Sequence, residues 1–206
     1  MLGHLRPYIG HLKRLLAWPY LRLGLSANQV GLVGVLLAAL AAALIRWDFR
    51  LPAFWIAMVA VLTDMADGEV ARQTDSETPQ GNYLDAMGDR MREGLLMLGL
   101  IPFAPDLLGL ALLGTCLTSF AKARCALVVV MDNRDWPGLG DHADRAVILL
   151  FAYLLVPQGS LWPLWLLIVA TWTCCAIRMK RALELIDKRK EDNLLPYLRA
   201  SERYQR

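Results

Sequence analysis

No charged side chain occurs between Arg22 and Arg46. At about 1.5 Å per helical residue, this run is long enough to cross a bilayer core about 30 Å thick. A second uncharged run extends from Arg145 to Arg178, and the sequence Pro-Gln-Gly-Ser at 157–160 predicts a turn between two helices within it. With 56% hydrophobic residues among 206, the chain is too apolar for a soluble domain of this size. We therefore expect an integral membrane protein.

We expect an all-α fold with one membrane domain over residues 1–206. A helix over residues 1–22 has apolar residues at helical spacing and is predicted to lie on the membrane surface, although a plain basic flank is an alternative. A core of six transmembrane helices over 23–182 precedes a cytoplasmic tail over 183–206. The six spans are predicted at 26–46, 52–74, 81–101, 106–131, 142–156 and 160–182.

The distribution of charge predicts the orientation of these spans. The segment before residue 23 carries four Lys or Arg and no acid, and the tail also has an excess of bases, so we expect both ends to face the cytoplasm. The predicted location is the plasma (inner) membrane of the cell. A net charge of +3 is too small to indicate nucleic-acid binding, so the expected surroundings are membrane lipids.

The centre of the chain carries four aspartates in the pattern D-x-x-D-G-x-x-A-R, eight further residues, and G-x-x-x-D-x-x-x-D. This spacing places Asp64 and Asp67 on one face of a helix, and Asp85 and Asp89 on one face of the next helix. Four carboxylates near a membrane core require compensating cations. Oxygen ligands without His or Cys favour Mg²⁺ or Mn²⁺, and paired ions of this type recur in displacement at phosphorus. The pattern therefore predicts a divalent metal centre for phosphoryl chemistry, to which Arg72 can add a positive charge.

This pattern resembles the signature of the CDP-alcohol phosphotransferase family at every specified position. The resemblance implies a cytoplasm-facing active site, CDP-diacylglycerol as donor, release of CMP and a homodimer. It further implies two Mg²⁺ or Mn²⁺ ions on the four aspartates, with Asp89 as the base that deprotonates the acceptor hydroxyl. The positions that the family uses around the CDP group of the donor correspond to Asp64, Gly68, Ala71, Arg72 and Gly81.

The acceptor alcohol is predicted from bases in the later helices. The string S-F-A-K-A-R at 119–124 is similar to an S-Y-x-K-A-R segment of bacterial phosphatidylinositol-phosphate synthases, which nominates Lys122, although snorkelling to the interface is an alternative. The segment at 140–145 resembles the G-x-x-E-R-x-x-R region of that group loosely and retains Arg145. Arg178 is a third candidate, for which a positive-inside role is equally compatible. These bases predict a phosphorylated acceptor: inositol phosphate first, and glycerol 3-phosphate, the substrate of phosphatidylglycerophosphate synthases, second.

A cation transporter is the alternative from a different functional class, because intramembrane carboxylates also bind transported ions. Transport predicts acidic residues spread along a path, often in inverted repeats. The acids of this chain instead cluster on two consecutive helices with Gly and Arg at fixed offsets. The pattern therefore favours the enzyme.

Overall fold

The structure of the protein, a computed structural model, describes residues 6–129, 136 and 140–188. The described part of the chain is all-α and contains seven α-helices, with short 3₁₀ turns at Ile101–Phe103 and Val156–Gln158. The helices are α1 (Arg6–Arg22), α2 (Ala27–Arg46), α3 (Arg50–Gln73), α4 (Pro79–Leu100), α5 (Pro105–Ala126), α6 (His142–Leu155) and α7 (Trp162–Lys188). The predicted surface helix and each of the six predicted spans correspond to one of these helices.

Local sequence signals fix the starts of α2 and α4. The Ser26 hydroxyl accepts a hydrogen bond from the backbone N–H of Gln29, and the Gln29 side chain accepts one from the backbone N–H of Ser26. This reciprocal capping box satisfies two donors that a helix start would otherwise leave without partners. At α4, the Thr78 hydroxyl accepts a hydrogen bond from the Gly81 N–H at 3.0 Å, and Pro79 occupies the first helical position.

Two helix ends differ from the prediction. Helix α5 ends at Ala126 instead of 131, and residues 127–128 form a turn. This region contains the β-branched residues Val128 and Val129, and such residues lose side-chain freedom in a helix, which favours an early end. Helix α7 continues to Lys188, so the start of the predicted tail is helical, while the tail from residue 189 onward lies outside the described residues.

In the part of the chain that the structure describes, four helices are long and apolar enough to cross a membrane, which makes the protein a multi-pass membrane protein: Ala27–Arg46, Arg50–Gln73, Pro105–Ala126 and Trp162–Asp187. The other two predicted spans correspond to α4 and α6. Helix α4 carries Asp85, Asp89, Arg92 and further charges that lower its hydropathy. Helix α6 has only 14 residues. Four of the six predicted spans therefore have both the length and the composition that a membrane span needs.

The described residues form two compact units. The first contains residues up to 105 together with 149–161, and the second contains 106–148 together with the residues from 162 onward. In the first unit, α2 packs along α3 and α4, and α1 packs against α3. A Cβ atom on Gly99 of α4 would lie 2.8 Å from the Cα of Ala42 in α2, so the approach of α4 to α2 leaves no room for a side chain at position 99.

In the second unit, α5 packs against α7 through small and hydroxyl-bearing residues. The Thr118 hydroxyl lies 3.1 Å from the carbonyl oxygen of Thr171, and the indole N–H of Trp172 donates to the carbonyl of Leu110 at 3.2 Å. A Cβ on Gly114 would lie 2.7 Å from the Thr171 hydroxyl. These contacts hold the two helices side by side with little room for larger side chains.

Candidate active site

Three of the four motif aspartates form a cluster within the first unit. Carboxylate oxygens of Asp64, Asp67 and Asp85 all lie within 4.8 Å of one another. Helix α3 supplies Asp64 and Asp67, and α4 supplies Asp85. Asp67 is buried, Asp64 is partly buried and Asp85 is exposed, so one side of the cluster remains accessible. Three oxygen ligands at this spacing fit a hard divalent cation such as Mg²⁺ or Mn²⁺.

The fourth aspartate, Asp89, is connected to the cluster through Arg92. The Nη2 atom of Arg92 donates to Oδ1 of Asp89 at 2.6 Å and also to Oδ1 of Asp64. The Nη1 atom lies 3.4 Å from Oδ2 of Asp67. Arg92 is buried, with 3% of its surface exposed, so one guanidinium contacts three carboxylates away from water. The structure therefore places all four aspartates and one arginine at one site.

Arg92 is not among the site residues predicted from the sequence. A signal was present, because Arg92 follows Asp85 by seven residues and Asp89 by three, and this spacing places all three residues on one face of α4. Glycines on α2 were also missed. A Cβ on Gly34 would lie 2.9 Å from Nη1 of Arg92 and would overlap the Thr63 hydroxyl, and a Cβ on Gly31 would lie 3.4 Å from Oδ2 of Asp67. Helix α2 therefore has no side chain where the arginine and the aspartates approach it.

A cavity of about 740 Å³ lies beside this cluster and is formed by α2, α3 and α4. The motif residues that line it are Asp67, Gly68, Ala71, Arg72, Gly81 and Asp85. These include four of the five residues predicted to surround the CDP group. The fifth, Asp64, contacts Arg92, which also lines the cavity. Around Gly68 the nearest atom to an added Cβ would be Nη1 of Arg72 at 3.7 Å, so a ligand can approach the backbone there.

One wall of the cavity is polar and suits an anion. Residues at the start of α2, including Ser26 and Asn28, and at the start of α4, including Thr78, line it. The N-terminal end of a helix carries a partial positive charge that favours phosphate groups. The Arg72 guanidinium is held by Glu69, with Nη2 to Oε2 at 2.8 Å. Ser26 and Asn28 are not among the site residues predicted from the sequence, although the capping-box pattern was a usable signal.

The other wall of the cavity is apolar and open. It is lined by Leu32 of α2 and by Leu84, Met87 and Met91 of α4, and all four side chains are exposed. Exposed apolar side chains beside a polar cleft form a surface that suits hydrocarbon chains. The cavity therefore combines a polar site for phosphates with an apolar side.

The predicted acceptor residues Lys122, Arg145 and Arg178 all lie in the second unit. Arg145 is 1% exposed, and its Nη1 donates to the carbonyl of Gly140 at 2.7 Å. The Nη2 of Arg178 pairs with Asp141 at 2.6 Å. Gly140 thus contacts Arg145, and the adjacent residue Asp141 contacts Arg178. The two arginines therefore meet at one segment of the chain. Lys122 is partly buried on α5.

Comparison with known proteins identifies relatives of the chain. The family model for CDP-alcohol phosphatidyltransferase matches residues 25–175. An archaetidylinositol phosphate synthase from Pyrococcus horikoshii is 26% identical over 159 residues, which cover 75% of this chain and 82% of the relative. A phosphatidylinositol phosphate synthase from Mycobacterium marinum is 29% identical over 182 residues, which cover 80% of this chain and 76% of the relative.

Crystal structures of the phosphatidylinositol phosphate synthase from Mycobacterium tuberculosis share the fold. The form with CDP-DAG bound matches with a TM-score of 0.65 at 23% identity, covering 82% of this chain and 92% of that one. The form with manganese and citrate also has a TM-score of 0.65, at 24% identity, and the match covers 83% of this chain and 88% of that one. Since the family model matches well over half of the sequence, the protein belongs to the CDP-alcohol phosphatidyltransferase family and is an enzyme of that class.

Proposed function

We propose that the protein transfers a phosphatidyl group from CDP-diacylglycerol to a hydroxyl of a phosphorylated polyol, with inositol phosphate as the first candidate, and releases CMP. The observation that carries this proposal is the cavity beside the aspartate cluster, because it joins a polar wall to an exposed apolar wall. A nucleotide-linked lipid needs the polar wall for its phosphates and the apolar wall for its acyl chains. The relatives are named for products that contain an inositol phosphate group, archaetidylinositol phosphate and phosphatidylinositol phosphate, and these names support the acceptor.

In this proposal the donor lies along the cavity with its pyrophosphate at the polar wall. Arg72 and the N-terminal ends of α2 and α4 supply positive charge and N–H donors to the phosphates. The absence of a side chain at Gly68 and Gly81 allows the CDP group to approach the backbone of α3 and α4. The acyl chains then follow Leu32, Met87 and Met91 toward the bilayer. CDP-DAG in the Mycobacterium tuberculosis relative supports this choice of donor.

In this proposal the four aspartates would hold two divalent cations, one of them at Asp64, Asp67 and Asp85, in keeping with the manganese found in the same relative. A bound cation of this kind neutralises the pyrophosphate and polarises its P–O bonds. Asp89 acts as the general base and takes the proton of the acceptor hydroxyl. The acceptor oxygen then bonds to the phosphorus that carries the lipid, and the bond from that phosphorus to the CMP oxygen breaks.

The proposed function is tested by CMP release from labelled CDP-diacylglycerol by the purified protein. Inositol phosphate, glycerol 3-phosphate, free inositol and serine are offered in turn with Mg²⁺ or Mn²⁺. We expect metal-dependent CMP release with inositol phosphate and little with free inositol or serine. Efficient use of serine or free inositol would reject the phosphorylated acceptor, and absence of CMP release with every acceptor would contradict the proposed activity itself.

Lys122, Arg145 and Arg178 form the proposed site for the acceptor phosphate. Replacing Lys122 with alanine should raise the acceptor KM about tenfold or more, because a charge-assisted hydrogen bond contributes about 1.5–3 kcal/mol. The KM for CDP-diacylglycerol should change little. Because Arg145 is fully buried, Arg145→Lys is the variant of choice at that position, and it should also raise the acceptor KM by removing paired donors. Arg124→Ala, at an exposed position on α5, is the matched control, and an unchanged acceptor KM in both test variants would contradict the pocket.

We further propose that α2 to α7 are six membrane spans, with both termini and the active site facing the cytoplasm of a plasma-membrane enzyme. Charged α4 can cross because four of its charges are paired, Arg92 with Asp89 and Arg90 with Glu93. The test introduces Glu77→Cys or Gln158→Cys into a protein whose four native cysteines have been replaced. The two variants should react with an impermeant thiol reagent from opposite sides of sealed vesicles. Reaction of both positions from the same side would contradict the six-span topology. A homodimer stays a prediction.

A further inference from the structure

Glu69 on α3 contacts an arginine of the donor cavity, although Glu69 does not line the cavity itself. We propose that Glu69 is a positioning residue for CDP-diacylglycerol, which holds the guanidinium of Arg72 with one edge directed at the pyrophosphate of the donor. This inference rests on the proposed function, in which Arg72 binds the donor phosphates. Position 69 is unspecified in the aspartate motif, so the motif itself does not predict this role.

The hydrogen bonds between the two side chains determine which edge of the guanidinium is used. Oε2 of Glu69 accepts from Nε of Arg72 at 3.2 Å and from Nη2 at 2.8 Å. A guanidinium carries five N–H donors in a rigid planar fork, and these bonds use its Nε side. Nη1 has no hydrogen-bond partner among the described residues, and it would lie 3.7 Å from a Cβ on Gly68, which lines the cavity. The edge formed by Nη1 and Nη2 is therefore available to a phosphate.

Glu69 is the anchored member of the pair. Gln73, one turn later on α3, donates from Nε2 to Oε1 of Glu69 at 2.9 Å. Nε of Arg14 on α1 lies 3.9 Å from the same oxygen. Only 12% of the Glu69 side chain is exposed, against 48% of the Arg72 side chain. The more exposed arginine consequently takes its orientation from the glutamate.

The packing of α1 against α3 explains why Glu69 is shielded from water. Ala66 and Val70 of α3 belong to a small core that also contains Ala17 of α1. Their spacing places Glu69 on the same side of α3. Because an ion pair shielded from water is stronger than an exposed one, the cover provided by α1 makes the pair with Arg72 an effective restraint.

Glu69 has two effects on donor binding, and they have opposite signs. Its carboxylate repels the anionic donor, so the charge alone would weaken binding. Its hydrogen bonds hold Arg72 in one orientation, so the entropy of fixing this long side chain is lost on folding and not on binding, which strengthens binding. The repulsion is small while the carboxylate is paired with Arg72. We therefore expect the positioning effect to dominate.

The test measures the dissociation constant of CDP, the head group of the donor, by isothermal titration calorimetry on the full-length protein in detergent with saturating Mn²⁺. Glu69→Ala should raise this constant about three- to tenfold, the range expected for one long side chain that is ordered on binding. Glu69→Gln keeps one acceptor oxygen and should raise it less. Glu184→Ala breaks an ion pair of the same helical spacing with Arg181 on α7, and this matched control should leave the constant unchanged.

A second arm of the test removes Arg72. Arg72→Ala should itself weaken CDP binding, and Glu69→Ala added to Arg72→Ala should cause no further loss, because Glu69 acts through the arginine. Direct Mn²⁺ binding by Glu69→Ala should match that of the wild type. Retained elution volume and melting temperature verify that each variant is folded, and Glu69→Gln serves alone if Glu69→Ala does not fold.

The outcomes separate this inference from the proposed function. An unchanged or lower dissociation constant in the folded Glu69 variants would overturn the inference and leave the donor site standing, and so would equal losses with and without Arg72. An unchanged constant in Arg72→Ala would contradict the donor contact of Arg72 and the inference with it. No CDP binding by the wild type would contradict the proposed function itself. A loss in Glu69→Ala that disappears in the Arg72→Ala background supports the inference.

Discussion

Replacing Asp89 with asparagine should lower the rate of phosphatidyl transfer at least about 100-fold, because a positioned general base typically contributes 10²–10⁴ to the rate. Asparagine has nearly the same shape as aspartate, but it cannot accept the proton of the acceptor hydroxyl. Asp89 lies outside the group formed by Asp64, Asp67 and Asp85, so Asp89→Asn should still bind Mn²⁺ at those three residues. The measurement is the rate of CMP release at saturating metal and acceptor.

A control for Asp89→Asn must remove an aspartate charge elsewhere. Asp48 is suitable, because it lies in the connection between α2 and α3 and forms an exposed ion pair with Arg50 at 2.6 Å. Its φ of 63° is a conformation that asparagine also adopts readily. Asp48→Asn should therefore retain activity. Near-normal turnover of folded Asp89→Asn would reject Asp89 as the base.

Replacing Asp67 with asparagine should shift the metal dependence of the reaction as well as its rate. Asp67 belongs to the ligand cluster, and even the loss of an outer partner of a metal ligand typically costs about 10–100-fold in metal affinity. We therefore expect the Mn²⁺ concentration for half-maximal activity to rise at least about tenfold, in parallel with weaker direct Mn²⁺ binding. Asp64→Asn should behave in the same way.

Comparison of the two variants distinguishes a ligand from a base. Excess metal should restore part of the activity of Asp67→Asn, since weak binding can be overcome by mass action. It should restore none in Asp89→Asn. If Mn²⁺ titrations of Asp67→Asn and Asp64→Asn both coincide with that of the wild type, the metal centre is placed at the wrong residues. Folding is verified by the melting temperature, because Asp67 also accepts a hydrogen bond from the Gly68 N–H at 2.6 Å.

The helices and the aspartates were predictable because their signals are local. Charge-free runs indicate where the helices lie. The Ser26 capping box and the Thr78-Pro79 pair indicate where α2 and α4 begin. The aspartate spacing then places carboxylates on facing sides of α3 and α4. The early end of α5 was missed because a run of valines is apolar enough for a span but a poor helix former.

Arg92 was missed because its partners are distant in sequence. Asp64 and Asp67 precede it by 28 and 25 residues, and an isolated arginine after an aspartate motif resembles a flanking charge. Gly34 indicates where the Arg92 side chain lies only once the packing of α2 against α4 is known. Arg178 depends on packing in the same way, since its partner Asp141 lies 37 residues earlier in the chain.

The open apolar wall of the cavity, formed by Leu32, Leu84, Met87 and Met91, determines how the donor reaches the enzyme. In the proposed binding mode the lipid arrives by lateral diffusion within the bilayer, while the acceptor and CMP exchange with water. The relevant concentration of the donor is then its mole fraction among the surrounding lipids. Diluting CDP-diacylglycerol with inert detergent at constant bulk concentration should slow the enzyme, as surface dilution does for catalysts that act in two dimensions.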